Sequence, residues 1–230
     1  MHWFFDPLFT SESESLRVEE VQHFKALRIR VGEKIAVTNG AGTVYFCETK
    51  DPVRGKVMVQ SSETQESPEI KIQLIQAIAK GDRDELAIQA SIELGCSSIV
   101  AWQAEHSVSK WRGKEEKNLV RWSQIAISAM KQSQQAHLPE VSGPVVTENL
   151  RPTGHGVLLL PDATESLSQI DMSAREYSIV VGPEGGVNDA EVEQLAAAGF
   201  APYRLGESVL RTSTAGPAAI AALKTLRKLW

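Results

Sequence analysis

Two glycine-rich turns near the carboxyl end constrain this chain more than any other feature. They are Gly182-Pro183-Glu184-Gly185-Gly186 and Leu205-Gly206-Glu207-Ser208-Val209-Leu210-Arg211. Each follows a short apolar run, Ser178 to Val181 and Ala201 to Leu205, that reads as a strand ending at the turn. Each precedes a helix pattern with a start signal. Asn188 and Glu191 have the spacing of a reciprocal cap, and Thr214 with Pro217 suits the beginning of a terminal helix. Strand, turn and helix, met twice in succession, place two backbone-rich loops at the carboxyl edge of one sheet. Open α/β sheets bind their ligands there.

The remainder of the chain supplies that sheet. Ile70 to Ala79 alternates and then runs apolar, as a buried strand does; Asp82 caps a helix through Glu93 that stops at Gly95. Ser98 to Trp102 reads as a strand and Glu115 to Ala136 as a long helix. Gly156 to Leu160 is a further buried strand, followed by Pro161-Asp162-Ala163. Strands alternating with helices predict an α/β domain over 69–230 with a mainly parallel sheet. Residues 1–66 differ. Val18 to Leu27 fits a short helix, Asn39-Gly40-Ala41-Gly42 a hairpin turn, and Ile35 to Thr38, Thr43 to Thr49 and Lys56 to Ser61 short strands, which together suggest a small β-barrel. Ser61 to Pro68 is polar and patternless, so the domain boundary is expected there.

Composition narrows the function classes. No apolar run approaches the length of a membrane span and no signal peptide opens the chain, so a cytoplasmic protein is expected. Two cysteines and five histidines without ligand spacing predict neither a disulfide nor a metal site. The net charge is −5, but its cations cluster. Lys25, Arg28 and Arg30 form one group, and Lys110 and Arg112 open another; such clusters suit phosphate contacts or plain solvated faces. Neither glycine turn has the dinucleotide or P-loop spacing. Their backbones suit an adenine or amino-acid ligand held by main-chain N–H and C=O groups.

Gly182 to Gly186, Leu205-Gly206 and Val209-Leu210-Arg211-Thr212-Ser213-Thr214-Ala215 together resemble the closing motifs of the SPOUT RNA methyltransferases, and most closely the RsmE type. Glu93-Leu94-Gly95, Glu105 to Val108, Lys117 to Trp122, Gln132-Ser133 and Pro139 resemble that family's middle pattern. His23 to Arg30, Gly32 and Asn39-Gly40 resemble its N-terminal PUA-like barrel, an RNA-binding unit. The likeness spans nearly the whole chain. The departures are Ser213, where an acidic residue is frequent, His106, where an arginine is frequent, and an opening without the early arginine.

The resemblance implies a C-terminal SPOUT domain with a trefoil knot, a homodimer, and methylation of uridine N3 in 16S ribosomal RNA or the assembled small subunit. Such an enzyme serves rRNA processing and ribosome biogenesis. It implies S-adenosylmethionine among Leu160, Pro161, Gly182, Pro183, Glu184, Gly185, Gly186, Leu205, Gly206, Val209 and Leu210, with Lys25, Arg28, Arg30, Lys110 and Arg112 toward RNA. Arg211 is the candidate for stabilising charge on the base, with phosphate anchoring or an inter-subunit ion pair as alternatives. Glu184 is the candidate proton acceptor, beside Glu207, though either suits a capping role. Methylation of a ribose hydroxyl or of transfer RNA, and a non-catalytic role in ribosome assembly, are the competing functions.

Overall fold

The computed structural model of the protein describes residues 1–229 and divides into two compact units. The first comprises Met1–Pro68 with Met130–Leu138. Its strands are β1 (His2–Phe5), β2 (Lys34–Thr38), β3 (Thr43–Asp51) and β4 (Lys56–Thr64), in the spatial order β1-β2-β3-β4, and α1 (Val18–Leu27) follows β1. β1 runs parallel to β2, and the other pairings are antiparallel. The chain then returns from β1 to the far edge of the sheet. Leu16 N–H donates to the Gly55 carbonyl and Val57 N–H to the Glu14 carbonyl, which curls the unit toward a barrel.

The hairpin forms as its residues demand. Asn39 Oδ1 accepts the N–H groups of Ala41 and Thr43, and Gly40 and Gly42 take φ of +74° and +100°. Phe4 meets Phe24 edge-on, with ring centroids 4.7 Å apart, in a core with Phe9, Ile35, Val37 and Val57. Two expectations need correction. β4 continues to Thr64, so Ser61 to Thr64 is strand, not linker; its exposed polar side chains hide a ladder made by main-chain atoms. The segment Met130–Leu138 also belongs to this unit, where Leu138 N–H donates to Gly40 and Thr38 Oγ1 to the Ala136 carbonyl.

The second unit, Glu69–Ala129 with Pro139–Trp230, contains β5 (Lys71–Ala77), α2 (Arg83–Glu93), β6 (Ser98–Trp102) and the start of α3 (Glu115–Gln132). Then come β7 (Glu140–Val145), β8 (His155–Leu159), β9 (Glu176–Val181), α4 (Asp189–Ala197), β10 (Phe200–Tyr203) and α5 (Thr212–Leu226). The six strands are all parallel and ordered β10-β8-β9-β5-β6-β7. β9 inserts between β8 and β5, so the carboxyl ends of β8, β9 and β10 gather on one side of β5. Ile75, Trp102, Leu158, Val180, Leu195 and Phe200 form an apolar core there.

Local signals fixed most element ends, with informative exceptions. Gly95, φ +86°, ends α2 as expected. Asp82 occupies the N-cap of that helix but makes no capping bond; Asp84 instead accepts from Ala79 and Glu85 N–H. α3 stops at Gln132, short of Ala136, because Gln134 turns left-handed at φ 59°. α5 starts at Thr212, which leaves Pro217 inside the helix. β7 escaped notice because Gly143-Pro144 interrupts its pattern, and an edge strand tolerates the missing donor. β10 ends at Tyr203, ahead of Leu205.

Candidate functional site

A cavity of about 430 Å³ opens at the carboxyl ends of β8, β9 and β10. That volume falls in the range of small-molecule pockets. Its walls carry Leu160 and Pro161 from the β8 loop, Gly182, Pro183, Glu184 and Gly186 after β9, and Leu205, Gly206, Val209, Leu210 and Arg211 after β10. The structure thus brings together all but one of the residues expected around a ligand. Gly185 is the exception. It backs onto the loop after β6, where a Cβ would stand 3.0 Å from His106 Cβ and 3.1 Å from the His106 carbonyl. A side chain there would press on that loop, and His106 Nδ1 bonds the Gly185 carbonyl at 3.1 Å.

Each wall is fixed by its own hydrogen bonds. The β8 loop is tied to β10 through Leu160 N–H to the Tyr203 carbonyl (3.0 Å), Arg204 N–H to the Glu165 carbonyl (2.8 Å) and Arg204 Nη1 to the Ala163 carbonyl (3.0 Å). The β9 turn closes with Gly186 N–H on the Pro183 carbonyl and then enters α4, where Asn188 Oδ1 caps Glu191 N–H at 2.8 Å. The expected return bond from Glu191 is absent. Its carboxylate turns inward, where Oε1 accepts Glu105 N–H at 3.0 Å and Thr147 Oγ1 at 2.7 Å, and Thr147 Oγ1 in turn accepts Trp102 Nε1 at 3.0 Å. Asn188 Nδ2 completes the clamp on Glu105 Oε2 at 2.6 Å. The β6 loop is therefore bolted to the glycine turn.

Glu184 is engaged with α2. Its Oε1 accepts Lys80 N–H at 3.1 Å and Arg83 Nη1 at 2.9 Å. Burial works to raise its pKa, but the hydrogen bonds from its own N–H, Arg83 and Lys80 outweigh burial and hold the carboxyl below its ordinary value. A carboxylate so held is a weak proton acceptor and a good anchor. Arg211 occupies the N-cap of α5, lines the cavity and is exposed; its carbonyl accepts the N–H groups of Thr214 and Ala215.

The basic residues divide. Lys25, Arg28, Arg30 and Arg112 are exposed. Lys110 Nζ donates to the carbonyls of Ala104 and Glu105, at 3.2 and 3.1 Å, and so staples the β6 loop. Among the described residues no group of three or more His, Cys, Asp or Glu side chains could hold a metal ion, and no helix is long and apolar enough to cross a membrane. Sequence reading missed Arg83, Tyr203 and Thr212 in the cavity wall, and Gln76 behind it. Gln76 did carry a signal: it is an uncharged polar residue inside an apolar strand.

The family model described as an RNA methyltransferase domain matches residues 65–224. The ribosomal RNA small subunit methyltransferase E of Mycobacterium bovis is 35% identical over 215 residues, covering 88% of this chain and 82% of that protein. The chain belongs to the ribosomal RNA small subunit methyltransferase E family. The Bacillus subtilis member is 32% identical over 227 residues, covering 91% of this chain and 88% of its own length. A solved family structure from Neisseria gonorrhoeae, bound to S-adenosyl methionine, superposes with a TM-score of 0.89 at 30% identity and covers 98% of both chains. A model described as an RNA methyltransferase PUA domain matches residues 16–56, within the first compact unit.

Proposed function

We propose that this chain methylates N3 of a uridine in 16S ribosomal RNA, using S-adenosylmethionine held in the cavity between the β8, β9 and β10 loops. The observation that carries the reading is convergence. Three loops from separate parts of the chain bring Gly182, Gly186 and Gly206 and the apolar Leu160, Val209 and Leu210 around one 430 Å³ space. Such walls fit a nucleoside bearing an amino-acid tail, and the family relative from Neisseria gonorrhoeae is described as bound to that cofactor. Leu160, Pro161, Gly182, Gly186, Leu205, Gly206, Val209 and Leu210 would hold it, with Gly185 bracing the turn from behind.

S-adenosylmethionine, when bound, supplies a methyl group that its sulfonium already makes electrophilic. The protein's tasks are to align the base and to steady the negative charge left when the imide proton departs to water. Alignment alone is worth roughly 7–11 kcal/mol where geometry is good. Arg211, in the cavity wall at the α5 N-cap, would face that charge in this reading. Glu184, already bonded to Arg83 and Lys80, anchors the turn in this reading.

The first unit, residues 1–68 with 130–138, serves as the RNA grip through Lys25, Arg28 and Arg30, and Arg112 adds a phosphate partner from the second. The target base must be unpaired, because a duplex occupies its N3 edge. We also read the chain as a cytoplasmic homodimer whose last segment forms a trefoil knot. The test is methyl transfer from labelled S-adenosylmethionine to 16S ribosomal RNA, free and in assembled subunits, with mass-spectrometric mapping of the product. N3-methyluridine at one position is expected; a methylated ribose, or no transfer by a protein that binds the cofactor, would overturn the assignment.

A further inference from the structure

We propose that Thr212, oriented by the buried Gln76, donates its hydroxyl hydrogen to a carbonyl oxygen of the target base. The proposal rests on the cavity being the methyl-transfer site. Gln76 lies at the carboxyl end of β5, paired in register with Val181 of the cavity wall, and is fully buried. Its Nε2 donates to the Ala77 carbonyl at 3.1 Å and to Thr212 Oγ1 at 2.8 Å. A carbonyl can only accept, so Ala77 decides which end of the carboxamide carries the nitrogen. The second N–H then faces Thr212, and the threonine oxygen has to accept it.

A hydroxyl that accepts in this way keeps its own hydrogen for another partner. Among the described residues none takes it, and Thr212 lines the cavity. Thr212 is also the first residue of α5, beside Arg211, where the unpaired N–H groups of the opening turn and the helix dipole favour negative charge. A pyrimidine losing its N3 proton spreads charge onto the two flanking carbonyl oxygens. A fixed donor there gains strength as the charge develops, which is the condition for lowering a barrier. Gln76 Oε1 is buried with no partner among the described residues. Leaving it so is costly, and the cost is understandable if the side chain is retained for what its nitrogen does. Gln76 is thus a positioning residue, and Thr212 the group that touches the base.

The experiment compares full-length Thr212→Val, Thr212→Ser and Gln76→Leu with the wild type. Cofactor and RNA affinities are measured by calorimetry, and kcat over a range of pH. Losing one such donor is expected to lower kcat by about 10²–10³ in Thr212→Val. Cofactor affinity should stay unchanged, Thr212→Ser should restore most of the rate, and Gln76→Leu should fall between. The rising limb of the Thr212→Val pH profile should move to higher pH, because the base ionises less readily without the donor. Wild-type kcat in Thr212→Val overturns the proposal; so does a loss confined to cofactor affinity, which would assign the hydroxyl to the cofactor. A wild-type protein that binds no S-adenosylmethionine would instead sink the underlying reading of the cavity.

Discussion

Glu191 is the most exacting place to test how the site is built. It is 4% exposed, and its Oε1 receives two hydrogen bonds, from Glu105 N–H and Thr147 Oγ1, while Oε2 has none among the described residues. Glu191→Ala removes both bonds. Hydrogen bonds to a charged group contribute about 1.5–3 kcal/mol each, so the gross loss is about 3–6 kcal/mol. Relief of the unpartnered oxygen returns about 1–3 kcal/mol, leaving a net destabilisation of about 2–3 kcal/mol when the low ends and the high ends are paired. For a chain of this size that corresponds to a drop of roughly 4–12 °C in melting temperature. The assay is urea unfolding followed by tryptophan fluorescence, since Trp102 joins the same network through Thr147. Thr147→Val, alone and combined with Glu191→Ala, closes a double-mutant cycle whose coupling should be about 1–3 kcal/mol. Coupling near zero, or a Glu191→Ala loss under about 0.5 kcal/mol, would refute the view that this carboxylate bolts the β6 loop to the glycine turn.

Gly185→Val forces a branched side chain against His106 Cβ and its carbonyl, 3.0 and 3.1 Å from the site of the added Cβ, so the turn must shift. Cofactor affinity by calorimetry should fall at least tenfold, and Gly185→Ala should be milder. Arg211→Ala should lower turnover more than cofactor affinity; wild-type rates would exclude a role in catalysis. Reversing the charges of Lys25, Arg28 and Arg30 should weaken RNA binding and flatten its salt dependence, by about 0.7–0.9 in log–log slope for each phosphate no longer neutralised. Burial raises the Asp84 carboxyl from 3.8 to about 6, against the opposing N–H bonds of Ala79 and Glu85. The folded state then binds the extra proton between those values, so this group's contribution to stability falls as pH rises through that window, by up to about 3 kcal/mol. Asp84→Asn should remove that slope from a series of urea midpoints.

What could be read from the residues alone was whatever local chemistry decides. Glycine at a turn, asparagine before a helix and an apolar run of strand length each act within a few residues. The Asn39 hairpin, the cap at Asn188 and the placement of two turns at strand ends were therefore legible, while the eleven residues expected around the cofactor followed from the family resemblance, and ten of them line the cavity. The tertiary structure decided the rest. Insertion of β9 between β8 and β5 set Gln76 against Thr212 and Arg83 against Glu184, pairs separated by more than a hundred residues in the chain. Burial turned Glu191 inward instead of back on its own cap, and the loop after β6 took Lys110 as a staple. Main-chain pairing extended β4 through polar residues that carry no strand signal. No local pattern encodes these choices, because the partner in each case is supplied by a distant segment that only folding brings near.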